Sequence, residues 1–366
     1  QQLFFDKRFS SNNNVSCSTC HSPSKEYSDG LPLGRGLGTV DKKTPSIVNV
    51  RFKHWFFWDG RSDSLASQAL GPIENPREHG ISRTRLFKII SLNYRKEFEA
   101  YFGKLPSQHI VDLLPEDALP KQKVLTFDSS VAAYSLASLG DFGLVNDMLS
   151  KASRAGETPA KHTIKRLSES PENKKWNKLW NKIPRHLQIQ INKTAYNFGK
   201  AVAAFESTIV AVDSPYDRFV NRWLKMPRTT PPKKALNKSF SDEHLRGLRI
   251  FIGPGKCSLC HSGPMFSDEQ FHNIGLGMNS RKEISLGRAL GVKKVLADDF
   301  SCRAQYGENS ASPSCLELQW LDTKNLELVG AHKTPSLRNV ANRGPWGHDG
   351  RFKSIKNVLN YYNELP

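Results

Sequence analysis

The chain has no run of about 18 apolar residues, so no membrane span is expected. Its most apolar stretch, Ala201 to Val212, is too short and is interrupted by Glu206. No leader stands ahead of Gln1-Gln2-Leu3, which reads as a processed start, so export has to be argued from chemistry. Acidic residues are in short supply: 35 Asp and Glu face 53 Lys and Arg, a formal net charge of +18. That surplus suits an acidic-surfaced partner protein. It does not indicate a nucleic-acid partner, because no helix-turn-helix, zinc-finger or RNA-binding signature comes with it. Ten Lys and Arg against three Glu lie between Lys151 and Arg185, either a solvated helical face or a docking surface. Alternating strand patterns are also missing, which leaves a mostly α-helical fold.

Cysteine is scarce as well, at six, but four of the six form two copies of one pattern. Cys17-Ser-Thr-Cys20-His21 and Cys257-Ser-Leu-Cys260-His261 both read Cys-x-x-Cys-His, the attachment signal for c-type haem. The two thiols add across the vinyl groups of one porphyrin, and the following histidine sets an imidazole beneath the iron. Structural zinc needs four ligands at short spacing, whereas these pairs lie far apart in the chain. A redox dithiol would not need His after both pairs. Two covalent haems are therefore expected, and since such haems are attached outside the cytoplasm, a periplasmic location. There the leftover Cys302 and Cys315 could pair, although spacing alone does not establish the geometry.

Residues 43–61 align without a gap on residues 333–351, with nine of nineteen positions identical. Lys43-Thr44-Pro45-Ser46 matches Lys333-Thr334-Pro335-Ser336, and Asp59-Gly60-Arg61 matches Asp349-Gly350-Arg351. The order is haem motif, Thr-Pro-Ser, Asp-Gly-Arg, twice over. Helical spacing is expected over 64–70, 84–102, 129–138, 192–212 and 354–363. The Pro-rich stretch 225–238 reads as a linker between a first haem domain, 1–224, and a second, 225–366. The repeat also measures how the halves differ. Fourteen residues past His348 stands Tyr362, whereas fourteen past the matching Trp58 stands Pro72. A phenolate can ligate iron and a proline cannot, so the second haem is expected closed and the first open. Tyr362 could equally pack its helix on the core, and Tyr361 is a near rival about 100° away.

Leu3-Phe4-Phe5-Asp6, both haem motifs, Phe57-Trp58-Asp59-Gly60-Arg61, Ala69-Leu70-Gly71-Pro72-Ile73, Asp213-Ser214-Pro215-Tyr216-Asp217-Arg218 and Lys333 to Val340 carry a further likeness. Over nearly its whole length the chain resembles the bacterial di-haem cytochrome c peroxidase superfamily. The resemblance implies two mostly α-helical, cytochrome c-like domains, a peroxide-reactive first haem and a six-coordinate second haem. It implies His21 and His261 as proximal ligands and Glu78 as a distal acid–base group. It further implies Gln68 and Pro72 in the same pocket and Trp58 as a relay between the haems. Asn49, with the carbonyls of Arg343 and Pro345, would hold calcium between the domains. Taken singly, Glu78 would read as a surface charge and Trp58 as a buried aromatic.

Peroxidases of this superfamily close the second haem with Met, and MauG-like members with Tyr. Tyr362 matches the latter; none of Met148, Met226, Met265 and Met278 is near it in sequence. The peroxidases also cap the first haem with a loop histidine, and no His occurs between Ser22 and Lys53. The Cys-containing insert before Gly330 is similar to that of methanobactin-associated di-haem enzymes, which oxidise a tryptophan on a partner protein. The implied function is thus peroxide-dependent, through a bis-ferryl state, with tryptophan on a partner as substrate. The alternative is a peroxidase that reduces hydrogen peroxide with electrons from a small redox protein.

Overall fold

The computed structural model describes residues 1–121, 125, 171–276, 285–308 and 310–364. Among these the chain is largely helical, and its one sheet is a short antiparallel pair, Phe271–His272 with His332–Lys333. The first core is built on the helix Arg185–Glu206. Its Leu187, Ile191, Ala195, Phe198 and Val202 recur at three- and four-residue intervals and are buried, a stripe that faces one side. That stripe joins the helix Leu65–Glu74, with Phe4, Phe9, Leu86 and Ile90 around it. The two helices approach closely because residue 199 is glycine: a Cβ there would lie 2.2 Å from the Ala66 carbonyl oxygen.

Two expected helices differ from what forms. The 84–102 stretch is two helices, Arg83–Asn93 and Arg95–Phe102, parted at Tyr94, whose hydroxyl donates to Asp6 at 2.7 Å. The 192–212 stretch starts earlier, at Arg185, and stops at Glu206. Beyond it Thr208, Ile209 and Val210 are β-branched and favour extended backbone, and Asn49 captures them. The Asn49 N–H donates to the Ile209 carbonyl, and its carboxamide pairs in both directions with the Ala211 backbone, all at 2.8 Å. The expected 129–138 helix lies outside the described residues.

A second, smaller core gathers Phe219, Ala235, Phe240 and Leu245. Phe219 comes from the helix Pro215–Leu224, which Ser214 and Asp217 start with a reciprocal capping box. This helix packs with the residues that follow it. The 225–238 stretch is loop and one short turn, Pro232–Ala235, yet it is anchored, since Ala235 is fully buried. The extra segment of the second half folds back onto the first. Phe300 joins the first core, the Cys302 N–H donates to Asp63 at 2.7 Å, and Ser67 donates to Asp298 at 2.5 Å. Cys302 and Cys315 are joined by a buried disulfide, with Cα atoms 5.9 Å apart.

The internal repeat reappears as paired hydrogen bonds. Ser28 donates to the Thr44 carbonyl at 2.9 Å, and Ser267 to that of Thr334 at 2.7 Å. Ser46 donates to the Glu26 carbonyl and Ser336 to that of Met265, both at 2.6 Å. The helices Leu65–Glu74 and Ile355–Glu364 begin and end at repeat-equivalent positions, and the Ser64 and Ser354 hydroxyls accept from the first turn of each. Two bonds then cross between halves: the Lys43 N–H donates to the His348 carbonyl and the Lys333 N–H to that of Trp58, each at 2.8 Å. Each Asp-Gly-Arg turn is thereby pinned to the Lys-Thr-Pro-Ser of the other half.

Candidate active site

Both Cys-x-x-Cys-His motifs close into a single turn, with the His N–H donating to the first Cys carbonyl at 2.9 Å in each. None of the four cysteines is in a disulfide. His21 Nδ1 lies 3.0 Å from the Tyr27 carbonyl, and His261 Nδ1 lies 3.0 Å from the Phe266 carbonyl. Since a carbonyl only accepts, Nδ1 carries the proton and Nε2 is left as a metal-ready lone pair. Burial lowers both imidazole pKa values, which keeps the rings neutral. Charges of both signs lie near: Glu78, Glu206 and Asp29 are within electrostatic reach of the first motif's thiols, and Lys53 of His21. Burial brings Lys53 down to about 7, Lys333 and Arg343 push it the same way, and only Glu269 opposes them. Arg343 is lowered to about 10 by burial, with Glu26 opposing. Two thiols and one open imidazole nitrogen in each motif fit an iron porphyrin held through its vinyl groups and its iron. Among the described residues, one group of three metal-capable side chains occurs, Cys260, Asp268 and His272, and it shares its sulfur with the second motif.

Beside the first motif, Gln68 and Pro72 lie four residues apart on one face of the helix Leu65–Glu74. Pro72 has no N–H to give the Gln68 carbonyl, which loosens the helix at that point. The chain then turns at Asn75, and the Asn75 amide donates to Glu78 at 2.6 Å. The loop 35–38 ties Glu78 to the motif: Cys20 Sγ lies 3.5 Å from the Arg35 carbonyl, and the Leu37 N–H donates to the Glu78 carbonyl at 3.1 Å. Burial raises the Glu78 pKa, against the lowering influence of Arg61, Asn75 and Lys294. Arg61 lies 3.5 Å from the centre of the Phe57 ring and pairs with Asp59 at 3.0 Å.

Beside the second motif, the two neighbouring tyrosines divide. Tyr361 donates to the Ile274 carbonyl at 2.6 Å and packs on Phe352. Tyr362 is about half exposed, and its hydroxyl is within electrostatic reach of Cys260 and Cys257; burial chiefly, then these thiols, raises its pKa. Of the methionines, Met226 packs with the second core, and Met265 sits in the loop whose Phe266 carbonyl holds His261. Met148 and Met278 lie outside the described residues, as does most of the basic stretch 151–185.

Where the halves meet, the Trp58 indole N–H donates to the Lys43 carbonyl at 2.8 Å, and its ring meets His348 edge-on at 6.4 Å. His348 stacks on His332 with ring centres 3.7 Å apart. The sequence reading gave no role to His332, Lys42 or Lys294, and used His348 only as the repeat counterpart of Trp58. A signal was present for His332, His348 and Lys42, since 42/332 and 58/348 are repeat-equivalent positions where the halves differ. Asn49 is fully buried, and its side-chain oxygen accepts from the Ala211 N–H. The Arg343 guanidinium donates to the Ser336 and Asn339 carbonyls of its own half.

The family model of the di-haem cytochrome c peroxidases matches residues 1–139. The methylamine utilization protein MauG of Methylorubrum extorquens is 27% identical over 362 residues, covering 98% of this chain and 66% of that protein. The chain is thus similar to the di-haem cytochrome c peroxidases over residues 1–139 and to MauG over nearly its whole length. Cytochrome c551 peroxidase of Pseudomonas aeruginosa is 23% identical over 363 residues, covering 98% of this chain and 69% of that one. The diheme peroxidase BthA of Burkholderia thailandensis shares the fold, with a TM-score of 0.57 at 17% identity over 99% of this chain and 69% of that one. The family is one of oxidoreductases. No helix among the described residues is long and apolar enough to cross a membrane.

Proposed function

We propose that each Cys-x-x-Cys-His motif holds a covalent haem c, and that the protein uses hydrogen peroxide to oxidise a tryptophan on an acidic-surfaced partner in the periplasm. One observation carries this reading. At the same position of two repeat-related helices, one half has Pro72 and the other Tyr362. Pro72 offers no ligand atom and would leave a haem bound in the first half open to peroxide, whereas Tyr362 would offer the second a hard oxygen that favours oxidised iron. The haems, when bound, supply the two-electron reduction of peroxide to water, one electron from each.

The chain supplies the rest. Glu78 takes the proton from incoming peroxide and returns it to the departing oxygen, which is general acid–base work. Gln68 and Pro72 line the space in which this occurs. Trp58, bonded to both halves, passes one electron between the sites, with its indole proton kept on the nitrogen by the Lys43 carbonyl. The surplus of 53 basic over 35 acidic residues draws in an acidic partner, which gives up its electrons from outside.

The haem assignment is tested by acidified acetone. Two haems should stay on each chain, and the ferric protein should show one high-spin and one low-spin signal by electron paramagnetic resonance. Extractable haem, or two alike signals, would overturn it. A protein that reacts with peroxide only after one haem is reduced would instead favour the peroxidase reading, with electrons taken from a small redox protein.

A further inference from the structure

The two repeat-equivalent pairs at the junction of the halves form one cluster. Lys42 Nζ donates to Ser285 Oγ at 2.7 Å and lies 2.9 Å from His332 Nε2. His332 Nδ1 is 2.9 Å from the Gly330 carbonyl and therefore carries the proton, so Nε2 accepts from Lys42. His332 stacks on His348, and His348 meets the Trp58 indole. The His348 Nε2 is buried with no hydrogen-bond partner. Both imidazoles are neutral: burial and the Lys42 charge lower them together, with His348 brought down to about 2. The stack thus connects an ammonium to an indole without adding charge of its own.

Trp58 cannot shed charge by losing a proton. Its N–H is bonded to the Lys43 carbonyl, an acceptor far too weak to serve as a base. An electron leaving Trp58 therefore leaves a cation, beside which a second positive charge is repulsive. We infer that Lys42 is a positioning residue for the Trp58 relay, slowing charge exchange between the two haem sites while it is protonated and releasing it when it is not. This rests on the proposed role of Trp58. The electrons balance: Trp58 gives one to the first site and regains one from the second, with peroxide as the oxidant.

The other groups facing Lys42 are Asp59, Asp349 and Asp41, which hold its charge, and Arg61, which opposes it. Asp59 is paired with Arg61 and Asp349 with Arg351, at 3.0 and 2.6 Å, so their charges are largely offset. Burial outweighs all of these and brings Lys42 down to about 8, within reach of a pH experiment.

The test is rapid-freeze electron paramagnetic resonance of the ferric holoprotein after one equivalent of peroxide. The quantity read is the lag between loss of the high-spin signal and loss of the low-spin signal. Peroxide ionisation and Glu78 act before the first loss, so neither enters the lag. Between pH 7 and 9.5 the lag should shorten about three- to tenfold, the scale of one charge acting in a partly shielded interior. Lys42→Met should have a short lag at both pH values. Lys42→Arg, charged throughout, should have a long one at both. A lag that ignores pH in the parent protein, or a pH response that survives in Lys42→Arg, would refute the role of Lys42 alone. If Trp58→Phe has the parent lag, the relay reading itself fails, and Lys42 with it.

Discussion

Glu78 is a carboxyl raised by burial and steadied by the Asn75 amide and the charges of Arg61 and Lys294. In the proposed role it acts first as a base, so it must be ionised when peroxide arrives. The rate of the first step should therefore climb with pH through a range above that of ordinary carboxylates. Glu78→Gln should flatten that profile and slow the step by about 10²–10⁴-fold, as stopped-flow mixing with peroxide would show. Glu206 is a different kind of acid. One of its carboxylate oxygens is buried without a hydrogen-bond partner, and burial raises the group from 4.5 to about 8. The folded chain keeps a proton there that the unfolded chain releases above 4.5. Its contribution to stability is therefore full below that pH and lost as pH rises through about 8. Thermal melts should show Glu206→Gln gaining on the parent between pH 5 and 8, and parallel curves would mean that Glu206 has a partner. At this scale the attachment residues were legible because their spacing is itself the chemistry. Glu78 and Trp58 could be proposed from the sequence only through likeness to a family. Lys42 and its two histidines meet across the halves, which no local pattern announces.

The helices Leu65–Glu74 and Ile355–Glu364 are the elements on which the asymmetry rests. Both were legible, since each has a serine cap, a run of helical spacing and an Asp-Gly-Arg turn ahead of it. The Arg185–Glu206 helix was legible in its apolar stripe but not at its end, because Asn49, distant in sequence, draws residues 209–211 into extended pairing. Tyr94 likewise parts a continuous apolar pattern by reaching for Asp6. Two predictions belong here. Tyr362→Phe should alter the low-spin signal and leave the high-spin one unchanged; an unaltered low-spin signal would put the ligand elsewhere. The Cys302–Cys315 bridge closes a short loop whose Phe300 end is packed in the first core. Its loss should cost roughly 2–4 kcal/mol, read by denaturant melts of Cys302→Ser/Cys315→Ser against the parent. Alkylation of both residues without reductant would contradict the bridge.

Across the whole molecule, the duplication places two alike attachment sites around one junction, and function follows from what the halves do not share. The duplication could be seen in the sequence, and so could the mostly helical class. The embrace between halves could not, because it depends on Asp298, Phe300 and Cys302 reaching Ser67, the first core and Asp63, contacts set by tertiary packing alone. That embrace holds the Asp59-Gly60-Arg61 turn, and with it Trp58, against the second half: Arg288 donates to the Gly60 carbonyl at 2.6 Å from a fully buried position. The measurement that bears most directly on this account is to add peroxide to the resting ferric protein, with no reductant present, and follow both iron signals. The account predicts that the high-spin and low-spin signals both disappear on one equivalent of peroxide, each site having given one electron. Ferric protein that ignores peroxide until one haem is reduced, or that loses the high-spin signal alone, would contradict it.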